Sequence, residues 1–161
     1  MIEKIKSLRR LFLGQFRLLL FWLNGSSIKA GPGFFCARHV YVTRKHKVVA
    51  GRNLFIGRYG HFGSHVKIGD NVMIASFVSF VGGDHRFDGI GDTPMRDSGI
   101  ESNLTTIIED NVWIGHGSII LSGVRIRSGA VVAAGSVVTK DVEENSIVAG
   151  NYAREIRKRI I

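Results

Sequence analysis

The sequence predicts an all-β solenoid, a coil of short parallel strands wound from six-residue repeats and preceded by one helix. Three observations predict it. Large apolar residues recur every six positions at Ile56, Phe62, Ile68, Ile74 and Phe80, and again at Ile108, Ile114, Ile120, Ile126, Val132 and Val138. A smaller set stands two residues before each: Leu54, Gly60, Val66, Val72 and Val78, then Thr106, Val112, Ser118, Val124, Ala130 and Ser136. Turn formers fall between them, with glycine after the large position at Gly57, Gly63, Gly69 and Gly115, and Asp-Asn at 70–71 and 110–111. Six is not a helical period; it is a short strand plus a turn. Alternate residues of a strand share a face, so both sets point inward. Stacked rungs then bury one continuous core and hydrogen-bond to their neighbours.

The elements follow in order. Residues 2–23 read as a helix, because Ile2, Ile5, Leu8, Phe12, Phe16, Leu19 and Leu23 recur every three or four positions. Lys4, Lys6, Arg9, Arg10 and Arg17 flank that stripe. The near-continuous apolar run from Leu11 to Leu23 contains Gly14, Gln15 and Arg17, and falls short of the roughly 20 residues a membrane span needs. Two readings remain: an in-plane interfacial helix, or a stripe packed on the chain's own body or a neighbouring subunit. Asn24-Gly25-Ser26-Ser27 ends the helix, with Gly25 available as a left-handed cap. Residues 28–47 read as a transition, and its basic run Arg44-Lys45-His46-Lys47 as a solvated face. Residues 1–27 are thus one unit, 28–150 the solenoid and 151–161 a basic tail.

The two repeat runs are out of phase, since Phe80 and Ile108 are not a multiple of six apart. An excursion over 83–105 accounts for this. It holds Asp84, His85 and Pro94 and has no period. A long loop interrupting a regular array points to function.

Charge and cysteine usage narrow the class. The net charge is +9, and all of it lies in residues 1–50, where ten Lys/Arg face one acid, Glu3. A basic front end on a neutral body suggests an anionic surface nearby. No nucleic-acid motif is present, so a membrane is the expected surface and nucleic acid is not. Cys36 is the single cysteine, which excludes an intrachain disulfide and fits a reducing cytoplasm. No small-residue cleavage site follows the first apolar run, so no secretory leader is expected.

Two stretches carry a resemblance. Ile108-Glu109-Asp110-Asn111-Val112-Trp113-Ile114-Gly115 and Ala134-Gly135-Ser136-Val137-Val138-Thr139-Lys140-Asp141 resemble the hexapeptide-repeat acetyltransferases, especially the maltose/galactoside and polysaccharide O-acetyltransferases. The likeness covers residues 50–157. It implies a left-handed parallel β-helix of triangular section, a homotrimer, and acetyl-CoA lying between neighbouring solenoids, with no metal. The resemblance makes His85 the catalytic residue, a general base for a sugar hydroxyl attacking the thioester; an imidazole titrating near neutrality suits that task. His39 and His46 read as surface residues and His61 and His65 as exposed coil residues. Asp84 points away from His85 in extended chain, leaving Asp88 or Asp92 to orient it if the loop folds back.

For the cofactor, the resemblance implies Trp113 walling the pocket, His116 near the acetyl end, and Ala133 and Ala134 beside the pantetheine. Thr139 and Lys140 then meet the pantetheine and phosphate region, and Arg154 and Arg157 the phosphates near the adenine, where guanidinium groups suit the geometry. Each has a plainer reading: Trp113 as a packed aromatic, His116 as a solvent-facing side chain, the alanines as core filling, the arginines as a solvated tail. One departure stands out. The family commonly has Gly-x-Pro-Ala where this chain has Gly150-Asn151-Tyr152-Ala153, which leaves the path of the tail open. The expected role is acetylation of a saccharide for surface polysaccharide, in the cytoplasm or at the inner membrane face. The alternatives are N-acetylation of an amino sugar nucleotide, a zinc enzyme of the γ-carbonic-anhydrase type, and a non-catalytic scaffold.

Overall fold

The structure, a computed structural model, describes residues 2–25, 27–101 and 104–161, with side chains from Phe12 onward except Gln15. Helix α1 (Ile2–Leu23) leads into the first coil, made of β1 (Ser27–Ala30), β2 (Phe35–Cys36) and β3 (Tyr41–Val42). The second coil holds β4 (Lys47–Ala50), β5 (Phe55–Ile56) and β6 (His61–Phe62). The third holds β7 (Val66–Ile68), β8 (Met73–Ile74) and β9 (Ser79–Val81). After the excursion come β10 (Thr106–Ile108), β11 (Trp113–Ile114) and β12 (Ile119–Leu121), then β13 (Arg125–Ile126), β14 (Val131–Val132) and β15 (Val137–Val138). β16 (Ser146–Ala149) and β17 (Arg154–Lys158) close the chain.

The strands stack into three parallel sheets, the faces of a prism. The first runs β1-β4-β7-β10-β13, the second β2-β5-β8-β11-β14-β16 with β17 at its edge, and the third β3-β6-β9-β12-β15. Every residue of both inward sets is buried. Phe62 and Phe80 stack inside with ring centroids 4.8 Å apart. The polar members of the smaller set are satisfied, as burial requires: Ser118 donates to the Gly115 carbonyl (2.9 Å), Ser136 to that of Ala133 (2.7 Å) and Thr106 to that of Leu121 (3.2 Å).

The register explains where the sequence period fails. Adjacent coils normally pair residues 18 apart, as the Arg52 amide bonding to Asp70 shows. Across the excursion the spacing is 40 (Ser79 with Ile119, Val66 with Thr106), yet the pairing is unbroken. The first coil pairs Ser27 with Lys47 and Phe35 with Phe55, so it is two residues longer. Residues 28–47 are therefore no transition but a full coil. Its extra residues lie between Val42 and Ala50, in the turn that carries Arg44, Lys45 and His46. The last coil pairs Val131 with Ile147, and is two residues shorter. Cys36, within the stretch read as a transition, is a buried position of β2 paired with Ile56.

α1 packs across the start of the solenoid against β1 and β2. The side it buries is not the stripe that the periodicity picks out. Gly14 is buried, Leu18 and Phe21 pack on the core, and Phe12, Phe16, Leu19 and Leu23 are exposed. A Cβ added at Gly14 would overlap the Phe34 carbonyl oxygen, so this close approach needs glycine. The segment after Gly150 turns back through a cis Asn151–Tyr152 peptide and pairs β17 antiparallel to β16.

Candidate active site

The excursion leaves the third face after β9, with Gly83 at a left-handed φ of 82°. Its limbs then pair with each other. His85 bridges Ile100, the Arg86 amide donates to the Gly99 carbonyl (3.1 Å), and the Glu101 amide donates to the Asp84 carbonyl (2.8 Å). A single 3₁₀ turn, Met95–Asp97, follows Pro94, and the Ser98 hydroxyl lies 2.7 Å from the Met95 carbonyl oxygen and 2.6 Å from that of Arg86. His85 thus stands at the root of a closed ribbon, exposed. Among the described residues its imidazole bonds to no protein group, and neither Asp88 nor Asp92 orients it. The loop does fold back, but against Ile100 instead.

The other histidines are more occupied than their sequence context suggests. His61 is half-buried and stacks on Tyr41 at 5.8 Å. His46 and His65 are half-buried and meet edge to face at 5.1 Å, and His65 Nδ1 accepts the Lys47 amide (3.0 Å). Burial, then His65, Lys45 and His61, push the His46 pKa down. Among the described residues no group of three His, Cys, Asp or Glu side chains could hold a metal ion.

His116 lies in the turn after β11, exposed, its ring tilted against Phe77 at 5.3 Å. The turn above it is Ala133-Ala134, joined to it by the Gly135 amide donating to the His116 carbonyl (2.8 Å). A Cβ on Gly115 would meet Ala134 N at 2.5 Å. Glycine therefore lets the two turns stack closely. The structure brings His116, Ala133 and Ala134 together at this corner.

Of the remaining residues expected at the cofactor, four divide between two hollows. Trp113, half-exposed on the outer surface of the second sheet, shares a groove of about 730 Å³ with Arg157 from β17 and with Asn53, Asn71 and Asn111. Lys140 and Arg154 share a second hollow of about 310 Å³ with Glu143 and Glu155, at the other end of β17. Thr139, half-buried, precedes Lys140. The buried Ser146 hydroxyl donates to Glu155 (2.6 Å); that bond, with Lys158 nearby, holds the Glu155 carboxyl below its usual pKa. The eight residues do not converge on one pocket of the single chain.

Sequence reasoning missed several neighbours of the site. Asn53, Asn71 and Asn111 all stand at φ near 57° (57°, 58° and 56°) and line the groove as a column; their recurrence before the inward positions was the signal. Tyr59 and Phe77 occupy the left-handed region at 57° and 61°. Nothing in the sequence announces this, since bulky residues rarely adopt it. They stack at 4.8 Å and continue to His39 at 4.9 Å, an aromatic column that ends at His116.

Comparison with known proteins agrees with this architecture. Residues 105–140 match the family described as hexapeptide repeat of succinyl-transferase. The galactoside O-acetyltransferase of Lactococcus lactis is 32% identical over 135 residues, covering 84% of this chain and 55% of that one. A chloramphenicol acetyltransferase of Klebsiella aerogenes is 33% identical over 135 residues, covering 77% and 58%. The chain thus spans little more than half the length of these curated relatives. The maltose O-acetyltransferase of Clostridium difficile 630 superposes with a TM-score of 0.58 at 32% identity, covering 83% of this chain and 69% of that one. With its repeat, its β-helix and this degree of identity, the chain belongs to the hexapeptide-repeat acetyltransferase family.

Proposed function

We propose that the protein moves an acetyl group from acetyl-CoA to a hydroxyl of a saccharide used in surface polysaccharide, acting as a cytoplasmic homotrimer with His85 as general base. The observation that carries the reading is His85 itself: exposed, free of protein hydrogen bonds among the described residues, and fixed at the root of the excursion. Its imidazole would take the hydroxyl proton as the acceptor oxygen attacks the thioester carbon, and CoA would leave as the thiol. Charge building on the thioester oxygen needs donors. The amides of His116 and Ala134 donate to no protein acceptor among the described residues and are suited to it. The division of the cofactor residues between two hollows fits a cofactor that lies between two copies. Arg157 and Lys140 supply cationic groups for its phosphates.

The Klebsiella relative favours a second acceptor class, a non-sugar hydroxyl. One experiment addresses both: thiol release from acetyl-CoA, with sugars, amino sugars and chloramphenicol as acceptors. A sugar should drive release by wild type, and His85→Ala should lower it by at least about 100-fold. Release driven only by amines or by chloramphenicol would replace the acceptor assignment. Failure to bind CoA at all would remove the enzymatic reading.

A further inference from the structure

Helix α1 is apolar on two opposite sides, and only one is used. Gly14, Leu18 and Phe21 face the first coil. On the far side Phe12 is 73% exposed, and Phe16, Leu19 and Leu23 follow at spacings of one helical turn, with Trp22 72% exposed beside them. In the sequence this outer stripe continues back through Leu8 and Ile5. A contiguous exposed patch of large apolar side chains on a soluble surface marks an interaction site.

Charge decides what covers it. Residues 1–50 carry the whole excess of basic residues. Arg17 and Arg38 line a hollow of about 300 Å³ along the flank of α1; Arg17 rests on the Phe35 ring and the Cys36 sulfur, Arg38 is exposed, and among the described residues neither forms an ion pair. A second copy meeting this helix like to like would bring two basic segments together at the cost of repulsion. An anionic bilayer meets both demands, taking the apolar stripe into its acyl boundary and the guanidinium groups at its headgroups. No helix among the described residues is long and apolar enough to cross a membrane. We propose that the outer face of α1 docks the protein in the plane of an anionic lipid surface, with the solenoid standing on the helix's inner face. This stands apart from the acetyltransferase reading, because none of these residues belongs to the candidate active site.

The test is co-sedimentation of the full chain with phosphatidylcholine vesicles, with and without phosphatidylglycerol. Wild type should pellet with the anionic vesicles and less as salt rises. In a Trp113→Phe background, Trp22 is the single tryptophan and its emission should shift to the blue on binding. Phe12→Ser/Phe16→Ser/Leu19→Ser should bind at least about tenfold less, and exposed Arg38→Gln about fivefold less. Thermal melting and thiol release with a soluble acceptor should be unchanged in both. Wild type remaining in the supernatant with anionic vesicles would overturn the proposal. So would a triple variant that binds lipid normally but loses its subunit number, which would assign the face to a second copy.

Discussion

At the scale of single residues, Cys36 and the proposed base His85 stand in opposite settings, one buried and one exposed. Burial pushes the Cys36 thiol up to about 11, against the opposing pull of Arg17, whose Nη1 lies 3.8 Å from Sγ. A thiol held neutral is a poor nucleophile. Cys36→Ala should therefore leave turnover intact, and a thiol reagent should label wild type only on unfolding. The role proposed for His85 rests on the resemblance and its place in the loop. What could not be read was its setting, because the antiparallel bridge to Ile100 joins residues that no repeat relates.

Glu109 carries a pH signature. It accepts from Arg125 Nη1 (3.0 Å), and from the amide (3.0 Å) and hydroxyl (3.2 Å) of Ser128. The Arg125 bond first, then Ser128, outweigh partial desolvation and hold its pKa below the ordinary 4.5. The folded value is the lower one, so its stabilisation is complete above about pH 4.5 and fades as pH falls through the folded value. Glu109→Gln should cost about 1 kcal/mol at neutral pH, discounted because the pair is partly exposed. Urea midpoints for wild type and variant should draw together in acid; a gap that is constant with pH would mean that ionisation of Glu109 contributes nothing.

At the scale of elements, the turns set the tolerances. A Cβ added at Gly115 would meet Ala134 N at 2.5 Å and the Val132 carbonyl oxygen at 2.7 Å. Gly115→Ala must push the Ala133-Ala134 turn away. It should cost about 1–3 kcal/mol as overpacking and raise KM for acetyl-CoA, read by melting and steady-state kinetics. Ile114→Ala acts on the same rung from inside, and should cost about 2–5 kcal/mol through the cavity it leaves. The strands of the two repeat runs were legible because their inward positions keep a six-residue spacing within each run. The first coil was not, because two extra residues around Arg44, Lys45 and His46 put it out of phase. α1 was legible as a helix from Ile2 to Leu23, yet its buried side was not. Gly14 is neutral in a periodicity count, but it is the point of closest approach.

At the scale of the molecule, each rung bonds to the rung below and above, so stability is a chain of nearest-neighbour terms. Its two ends are finished differently. α1 covers the start, and β17 folds back along β16 near the finish. That return strand explains why Arg154 and Arg157, three residues apart in the tail, belong to different hollows. A reading of 151–161 as a basic tail of open path had no means of separating them.

The excursion has a wider consequence. Ser79 pairs with Ile119 as though the residues between them were missing, and the loop ties its own limbs together at Asp84, Arg86, Gly99 and Glu101. The prism is therefore indifferent to what the ribbon contains. A lineage can rewrite the stretch from Phe87 to Asp97 without renegotiating the architecture that holds the other candidate residues. Selection on chemistry and selection on folding then act on separate stretches of one short chain.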